Sequence, residues 1–228
     1  MRYFLQLLLL IFTTVLFHIS TTNPNISSSA DYVAYEGLGS TLRVSFAPKL
    51  AKVLMWISTL YQMLYILLKM TSSTSISTFF PNVVTDTDPL PLTSIVVFGY
   101  IFMILGGLGR IWCYRTLGKF FTFEITIRNS HRLIKTGPYA YVRHPSYTFA
   151  SILTIGQFLI HRRLSNFFPS NTWSQFYFHP VALSISFMIL MFFLRRRVIR
   201  EEQELAKKFG KEWTEHVSRT KGFIPGLI

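Results

Sequence analysis

Two polar segments of this chain combine residue types that can bind a small charged ligand. The first runs from His131 to Tyr147 and places His, Arg and Tyr side chains around a Gly137-Pro138 dipeptide. Gly-Pro predicts a turn, and Pro145 disfavours helix at His144 while suiting the first turn of a following helix. A folded loop of this kind offers fixed hydrogen-bond donors and aromatic faces to a small polar ligand. A basic, aromatic belt that anchors helices at lipid headgroups is the alternative for any single Arg or Tyr.

The second segment runs from Arg197 to Glu202, where two carboxylates follow a cluster of arginines. On a helix, Arg197 and Glu201 stand four residues apart and can pair on a solvated surface, which is the usual fate of a charge run. Alternatively, Glu201 accepts hydrogen bonds from amine or hydroxyl groups of a ligand. Composition leaves both interpretations open.

The composition predicts that the chain is embedded in a lipid bilayer. Half of the 228 residues are hydrophobic and only 14% are charged, whereas soluble domains average about 25% charged residues. The net charge is +13, but Lys and Arg cluster beside apolar stretches, which favours a bilayer as partner and argues against nucleic acid. A single cysteine, Cys113, lies in an apolar run, so neither an intrachain disulfide nor a metal cluster is expected.

Five apolar stretches must position the two polar segments, and we expect an all-α integral membrane protein with about five transmembrane helices. A membrane span needs about 20 apolar residues, so the last two stretches, which are shorter, are expected to tilt, to thin the bilayer locally or to extend beyond its core. The first could be a cleaved signal peptide, but no small-residue cleavage site follows it, which favours a retained helix. The stretches are Tyr3–Ser20, Pro48–Lys69, Leu92–Trp112, Ser146–Ile160 and Pro180–Leu194.

Loop charge predicts the orientation of these helices. Residues 71–91 contain no Lys or Arg, whereas 114–145 and 195–228 are rich in both. We therefore expect 71–91 to face the lumen, and 114–145 and the C-terminus to face the cytosol. Alternation then puts 21–47 in the cytosol, where the sequon at Asn25 would stay unglycosylated. The tail at 195–220 is predicted to form a helix that Gly210 interrupts and that Pro225-Gly226 ends.

The run from His131 to Tyr147 resembles the signature of the isoprenylcysteine carboxyl methyltransferase family. The pattern reads His-x-Leu-aliphatic, then Gly-x-Tyr, then Arg-His-Pro-x-Tyr, and this chain follows it in order. Leu117-Gly118-x-Phe-Phe-Thr and the ending, with Glu201-Glu202, Phe209-Gly210 and an aromatic at Trp213, resemble the same family. The resemblance covers about the C-terminal 120 residues, whereas the N-terminal helices match only in being membrane helices.

The resemblance implies a domain organisation and a set of site residues. Residues 1–91 would be N-terminal membrane helices and loops, and 92–228 the methyltransferase core, with a cofactor loop at 114–147 and a C-terminal helix at 195–220. Arg197 would hold the substrate carboxylate, and no metal is implied. The residues implied to contact S-adenosyl-L-methionine are His131, Arg132, Leu133, Ile134, Tyr139, His144, Pro145, Ser146, Tyr147 and Glu201.

Two departures from the family pattern and one separate motif bear on the site. Family members usually carry Gly where this chain has Phe149, and because Gly permits close helix approach, Phe149 is expected to widen or reshape the cavity. Trp213 and His216 stand where tyrosines are common. A separate Gly107-x-Gly109 motif resembles a cofactor-linked motif of phospholipid methyltransferases, but a lone Gly-x-Gly is a weak signal and is set aside in favour of packing of small residues between helices.

The implied activity is methyl transfer to the C-terminal carboxylate of an S-prenylated cysteine on small GTPase-like proteins, at the endoplasmic-reticulum membrane. A methyltransferase for phospholipid amines or another small lipophile is the first alternative, since Arg-His-Pro-x-Tyr is shared with such enzymes. An amine substrate must lose a proton and therefore needs a base near the nucleophile. An arginine at that place, Arg197, favours a carboxylate substrate instead. A non-catalytic membrane interaction protein is the second alternative, which only Phe149 supports. The oligomeric state and the preferred prenyl group are not predicted.

Overall fold

The fold is all-α over the residues that the computed structural model describes, which are 1–25, 38–71, 79–80, 91–123, 131–162, 164 and 180–223. Within those ranges no strand forms, and an isolated bridge joins Val142 to Lys221. This confirms the predicted fold class. The helices are α1 (Arg2–Ser20), α2 (Leu38–Met70), α3 (Ser94–Leu117), α4 (Pro145–His161), α5 (Pro180–Phe209) and α6 (Lys211–Arg219), with 3₁₀ turns at Gly118–Phe120 and Gly137–Ala140.

Three helical segments in the described ranges are long and apolar enough to cross a membrane, namely Arg2–Ser20, Phe46–Met70 and Ser94–Phe120. They match the first three apolar stretches of the sequence. The fourth stretch forms α4, whose 17 residues rise about 25 Å, somewhat less than a typical hydrocarbon core. The fifth forms part of α5, whose 30 residues rise about 45 Å and therefore extend beyond that core. The total of about five spans stays a prediction.

The bundle is built around α3, which packs most extensively against α4 and also against α1. Small residues allow the α3–α4 backbones to approach closely. A Cβ on Gly106 would lie 2.8 Å from the Leu153 Cα, and one on Gly156 would lie 2.6 Å from the Met103 nitrogen. Distances this short exclude a side chain at either position, so the glycines fix how near the two helices lie.

Helix α1 is held against α2 and α3 by both apolar and polar contacts. Leu10 and Phe17 are buried in the main hydrophobic cluster, and the buried hydroxyls of Thr14 and Thr59 hydrogen-bond at 2.8 Å. Because a buried hydroxyl is costly unless it is hydrogen-bonded, this pair fixes the register of α1 on α2. The first apolar stretch is therefore an integrated part of the bundle in this structure.

The predicted C-terminal helix is interrupted at Gly210, as expected, but it does not start where the sequence predicted. No helix begins at residue 195, because α5 runs without a break from Pro180 through the arginine cluster to Phe209. Gly210 then adopts φ +50°, a conformation that favours glycine, and α6 leaves in a new direction. The arginines and glutamates of the second polar segment thus stand on the same continuous helix as the fifth apolar stretch. Pro225-Gly226 lies outside the described residues.

A short C-terminal latch, residues 220–223, ties the end of α6 to the loop that precedes α4. The backbone nitrogens of Arg143 and His144 donate to the carbonyls of Lys221 (2.8 Å) and Gly222 (3.1 Å). Thr148 Oγ1 donates to the Phe223 carbonyl, and Phe223 is buried. The latch therefore holds the loop, α4 and α6 as one unit.

The polar ends of several elements meet on one side of the bundle. Asn25 Nδ2, after α1, donates to the carbonyls of Gly118 (2.8 Å) and Phe121 (2.7 Å), after α3. This agrees with the prediction that 21–47 and 114–145 share one side of the membrane. The amide nitrogen of the sequon asparagine is occupied by these hydrogen bonds, whereas Ile26 and Ser27 lie outside the described residues.

Candidate active site

A cavity of about 520 Å³ lies where these polar ends meet. Its outer wall comes from the 131–147 loop, the end of α5 and α6. Its inner wall comes from the membrane helices and includes Leu153, Gln157 and Leu190. Five lining residues belong to the N-terminal part of the chain, so the cavity draws on both proposed divisions of the sequence: Phe17, Thr21, Ala47, Pro48 and Ala51.

The structure brings ten of the eleven sequence-predicted site residues to this cavity. Pro145 is the exception, since it is buried at the first position of α4 and is not part of the lining. Its role is to begin the helix directly after His144. The ten lining residues are His131, Arg132, Leu133, Ile134, Tyr139, His144, Ser146, Tyr147, Arg197 and Glu201.

Arg197, Tyr147 and Glu201 form a hydrogen-bonded chain on the cavity wall. Arg197 Nε donates to the Tyr147 hydroxyl at 2.7 Å, and that hydroxyl donates to Glu201 Oε2 at 2.8 Å. A guanidinium nitrogen of Arg197 also donates to the Phe123 carbonyl. The two residues of α5 are therefore linked through a tyrosine of α4, which fixes both charged groups relative to the cavity.

Glu202 makes a second link between α5 and the loop, on the neighbouring face of the helix. Glu202 Oε1 accepts from Arg143 Nε at 2.8 Å and lies 3.2 Å from His144 Nε2. Arg143 also donates to the carbonyl of Thr220 in the latch, at 2.6 Å. The hydrogen bond from His144, followed by that from Arg143, lowers the pKa of Glu202 to about 2, although partial burial opposes the shift. Glu202 therefore acts as an ionised anchor and leaves Glu201 for the cavity.

Arg110 is a lining residue that the sequence reasoning missed. It lies near the end of α3, is 8% exposed and joins three elements. Its Nε donates to the Ser20 carbonyl of α1 at 2.8 Å, its Nη1 to the Ser146 carbonyl of α4 at 3.1 Å, and its Nη2 to the Tyr114 hydroxyl at 2.6 Å. An arginine inside an apolar stretch marks a functional position by default, and that signal was present in the sequence.

Aromatic rings surround the outer part of the cavity. His131 stacks on Phe120 with ring centroids 4.8 Å apart and meets Phe209 edge-on at 6.0 Å. Trp213 and His216 of α6 are both 6% exposed and lie 6.0 Å apart. The outer cavity thus combines aromatic faces with the carboxylate of Glu201, a set that suits an organic cation with hydroxyl and amine groups.

Phe149 does not reshape the cavity as the sequence predicted. It is not part of the lining, because its ring fills the space in which a Cβ on Gly109 would stand. The bulky residue on α4 is thus accommodated by a glycine on α3. Gly107 likewise packs against Leu16 of α1, so both glycines of the Gly-x-Gly motif serve helix packing.

Comparison with known proteins gives a consistent family assignment. Residues 98–207 match the model of the isoprenylcysteine carboxyl methyltransferase family. The chain is 30% identical over 131 residues to protein-S-isoprenylcysteine O-methyltransferase B of Arabidopsis thaliana, covering 56% of this chain and 58% of the relative. It is 27% identical over 151 residues to protein-S-isoprenylcysteine O-methyltransferase of Saccharomyces cerevisiae, covering 65% and 56%.

A third relative, the probable protein-S-isoprenylcysteine O-methyltransferase of Oryza sativa subsp. indica, is 27% identical over 129 residues, with 56% of this chain and 59% of the relative covered. The chain thus spans somewhat more than half the length of the curated relatives that it matches. The matched range contains both polar segments and most of the cavity lining. Residues 98–207 of this chain therefore match the isoprenylcysteine carboxyl methyltransferase family, and plant and yeast methyltransferases of that name are its relatives.

Proposed function

We propose that this chain transfers a methyl group from S-adenosyl-L-methionine to the C-terminal carboxylate of an S-prenylated cysteine, giving a methyl ester. The single observation that carries the proposal is the Arg197–Tyr147–Glu201 chain of hydrogen bonds. It sets a cation and a carboxylate on one cavity wall, held in place by a half-buried tyrosine. Two charged partners of opposite sign, the substrate anion and a cationic donor, can therefore be bound side by side.

The charge of the lining supports a carboxylate substrate. Among the described residues, the cavity lining contains more arginines than glutamates. The arginines are Arg110, Arg132, Arg143 and Arg197, and the glutamates are Glu201 and Glu204. A terminal carboxyl group has a pKa of about 3.5 and is ionised at neutral pH, so the protein does not need to supply a base. Its task is to hold the anion in line with the methyl donor, and positioning of this kind removes up to about 7–11 kcal/mol of barrier. Arg197 can hold a carboxylate bidentately because its guanidinium is planar.

The residues of the outer cavity fit the proposed donor. S-adenosylmethionine supplies an electrophilic methyl group on a positively charged sulfur. The faces of Tyr139 and Tyr147 attract such a cation, and Glu201 accepts hydrogen bonds from amine or ribose hydroxyl groups. Burial raises the pKa of Tyr139 well above its usual range, so this phenol stays protonated and remains a donor. His131, Arg132, Leu133 and Ile134 form the adjoining wall, and His144 is held in its orientation by Glu202.

The inner cavity suits a lipophilic substrate. Its lining comes from four membrane helices and is mainly apolar, with Phe17, Ala51, Leu153 and Leu190 among its residues. Burial of an isoprenoid chain here is favourable at about 25 cal/mol for each Å² of apolar surface removed from water. The prenyl chain would reach this part from the surrounding bilayer, while its cysteine carboxylate points to Arg197.

The proposed orientation follows from the charge of the loops, whereas the proposed location and protein substrates follow from the resemblance to the family. The side of the bundle that holds the cavity carries the Arg- and Lys-rich segments, which favours the cytosol for the cavity and the C-terminus. The location is the endoplasmic-reticulum membrane, and the substrates are small GTPase-like proteins whose C-terminus has been prenylated. The methyltransferase core at 92–228 is completed by α1 and α2.

The test uses membranes that contain this protein, labelled S-adenosylmethionine and N-acetyl-S-farnesylcysteine, with base-labile methyl ester as the readout. Arg197→Ala should lower kcat/KM by about 10- to 100-fold, the effect of losing hydrogen bonds to a charged group, while donor binding survives. The matched control is Arg195→Ala, since Arg195 is exposed on the same helix. Full activity of Arg197→Ala would overturn the assignment of the substrate site.

Glu201→Ala tests the donor site separately and should impair S-adenosylmethionine binding. If the wild-type protein binds the donor but forms no ester, the substrate is another lipophile, and phospholipid amines are the first to be tried. If well-folded protein neither forms ester nor binds the donor, it is a non-catalytic membrane protein and the proposal fails.

A further inference from the structure

Two buried aromatic residues on the outer wall of the cavity have a chemical role that the proposed function leaves open. Trp213 and His216 are each 6% exposed and line the cavity from α6. Within the described part of the chain, no residue hydrogen-bonds to a ring nitrogen of either side chain. The ring nitrogens of both residues are not among the described buried polar atoms that lack a partner, so they keep accessible surface and can contact a ligand in the cavity that these residues line.

The position of this pair selects the part of the ligand that it faces. The inner cavity is apolar and the charged chain of Arg197, Tyr147 and Glu201 stands at the junction. The donor must therefore occupy the outer cavity, beyond Glu201. His131 is already stacked on Phe120 and set against Phe209. Among the described residues, the rings of Trp213 and His216 contact only each other, so this pair offers an aromatic wall to a ligand.

We propose that Trp213 and His216 bind the heteroaromatic base of the methyl donor. The indole packs on the face of the base, and a neutral imidazole nitrogen of His216 accepts a hydrogen bond from its exocyclic amino group. This inference rests on the proposed function, since it takes S-adenosylmethionine as the donor. It assigns base recognition to the two positions at which this chain departs from the tyrosines common in its family.

The surroundings of His216 keep its imidazole neutral. Burial lowers its pKa, and the positive charges of Lys135 and Arg143 on the loop lower it further, while Glu212 on α6 opposes them. Glu212 is itself paired with Lys135 at 2.8 Å. An imidazolium has no acceptor nitrogen, so donor binding should weaken as the pH falls below the ordinary histidine range. His131, His144, Glu201 and Glu204 also line the cavity, and the contribution of His216 is therefore read as a difference between variants.

The test measures equilibrium binding of S-adenosylhomocysteine to the full-length protein in lipid nanodiscs. Trp213→Leu should weaken binding about tenfold, the usual effect of losing one base–aromatic stack, whereas Trp213→Tyr should stay near wild type. His216→Gln, which keeps a neutral acceptor, should bind at about pH 7.5 as wild type does and should lose the part of the decline towards about pH 5.5 that His216 causes. Glu215→Gln, on the exposed face of α6, is the matched control.

A second ligand makes the assignment specific to the amino group. S-inosylhomocysteine carries an oxygen in place of that group, so the wild-type protein should bind it about tenfold more weakly. His216→Phe should abolish this preference. Equal weakening of both ligands by His216→Phe, or no effect of Trp213→Leu, would overturn the inference while leaving the proposed function intact. Failure of the wild-type protein to bind either ligand would overturn the proposed donor as well.

Discussion

The α3–α4 pair and the helix α5 carry the two halves of the cavity, yet they are held in place by different forces. Helices α3 and α4 touch through their backbones at Gly106 and Gly156, with no room for a single Cβ. In contrast, α5 contacts α4 only sparsely among the described residues, and several of its apolar side chains remain exposed, for example Met188 at 69% and Phe192 at 55%.

This difference in packing indicates what sets the position of α5 and of its charged residues. The fifth apolar stretch is predicted to lie in lipid, which is as apolar as the helix surface, so α5 would gain little by packing on the bundle. Its position is instead set by polar contacts at its end, where Arg197 meets Tyr147 and Glu202 meets Arg143 and His144. Close packing therefore builds the scaffold, whereas charged hydrogen bonds aim the helix that carries the reactive groups. The predictions below separate these two contributions, from the largest expected effect to the smallest.

Gly106→Leu should break the scaffold. Its Cβ alone would lie 2.8 Å from the Leu153 Cα, and backbone cannot move aside as a side chain can. We expect a loss of about 3 kcal/mol or more in stability, seen as a lower melting temperature in detergent. Leu105→Phe at the neighbouring lipid-facing position, 54% exposed, is the control and should melt as wild type does. An unchanged melting temperature in Gly106→Leu would refute the close approach of α3 and α4.

Glu202→Gln should release the end of α5 while the scaffold stays intact. The change removes a charge that accepts from Arg143 and His144, and we expect a cost of about 2 kcal/mol. Binding of S-adenosylhomocysteine should weaken because Glu201 is no longer held in position. Exposed Glu215 provides the control Glu215→Gln. Loss of stability without any loss of ligand binding would show that Glu202 does not orient the site.

The same anchor predicts a pH dependence of stability. The folded pKa of Glu202 is about 2 and its ordinary value is 4.5, so the folded protein binds this proton less readily than the unfolded chain. The stabilisation is complete above about 4.5 and is lost as the pH falls from there towards about 2. The difference in melting temperature between wild type and Glu202→Gln should therefore shrink over this interval. A constant difference would show that the carboxylate is not the source of the effect.

Alanine substitutions of two apolar residues on α5 should have the smallest effects, and the two variants should differ in KM. Met188→Ala alters a lipid-facing side chain and should change stability by less than about 0.5 kcal/mol, with activity unaffected. Leu190→Ala alters a residue that lines the cavity and should raise KM for a prenylated substrate several-fold, since each buried methylene contributes about 0.8 kcal/mol. Equal KM values in the two variants would contradict the inner cavity as the lipid site.

The membrane helices were predictable from sequence because bilayer thickness imposes their length and composition. The first apolar stretch, Tyr3–Ser20, is nearly identical to α1, and Gly210 interrupts the tail as predicted. The start of the tail was not predictable in this way. The arginines at 195–197 end the apolar stretch, but helical hydrogen bonding does not depend on polarity, and α5 continues through them.

Two adjacent glutamates on α5 show how far the site could be predicted from the sequence. The sequence singles out Glu201, and the structure places it at Tyr147, whereas Glu202 turns about 100° away to Arg143 and His144. Which carboxylate faces the cavity depends on how α5 is rotated, and only contacts distant in sequence decide that rotation. Arg110 illustrates the same limit, since its partners on α1 and α4 are 90 and 36 residues away.

The sequence by itself determined that this chain is an all-α membrane protein, and the resemblance of its motifs to a known family implied that two polar segments come together. Residue type, hydrophobic length and motif order suffice for this, because each is a local property. Only the tertiary structure decided that the Ser20 carbonyl of α1 binds Arg110 in the cavity wall, that Phe149 fills the space over Gly109, and that Trp213 and His216 line the cavity. These outcomes depend on the approach and rotation of whole helices, which packing sets and no local pattern records.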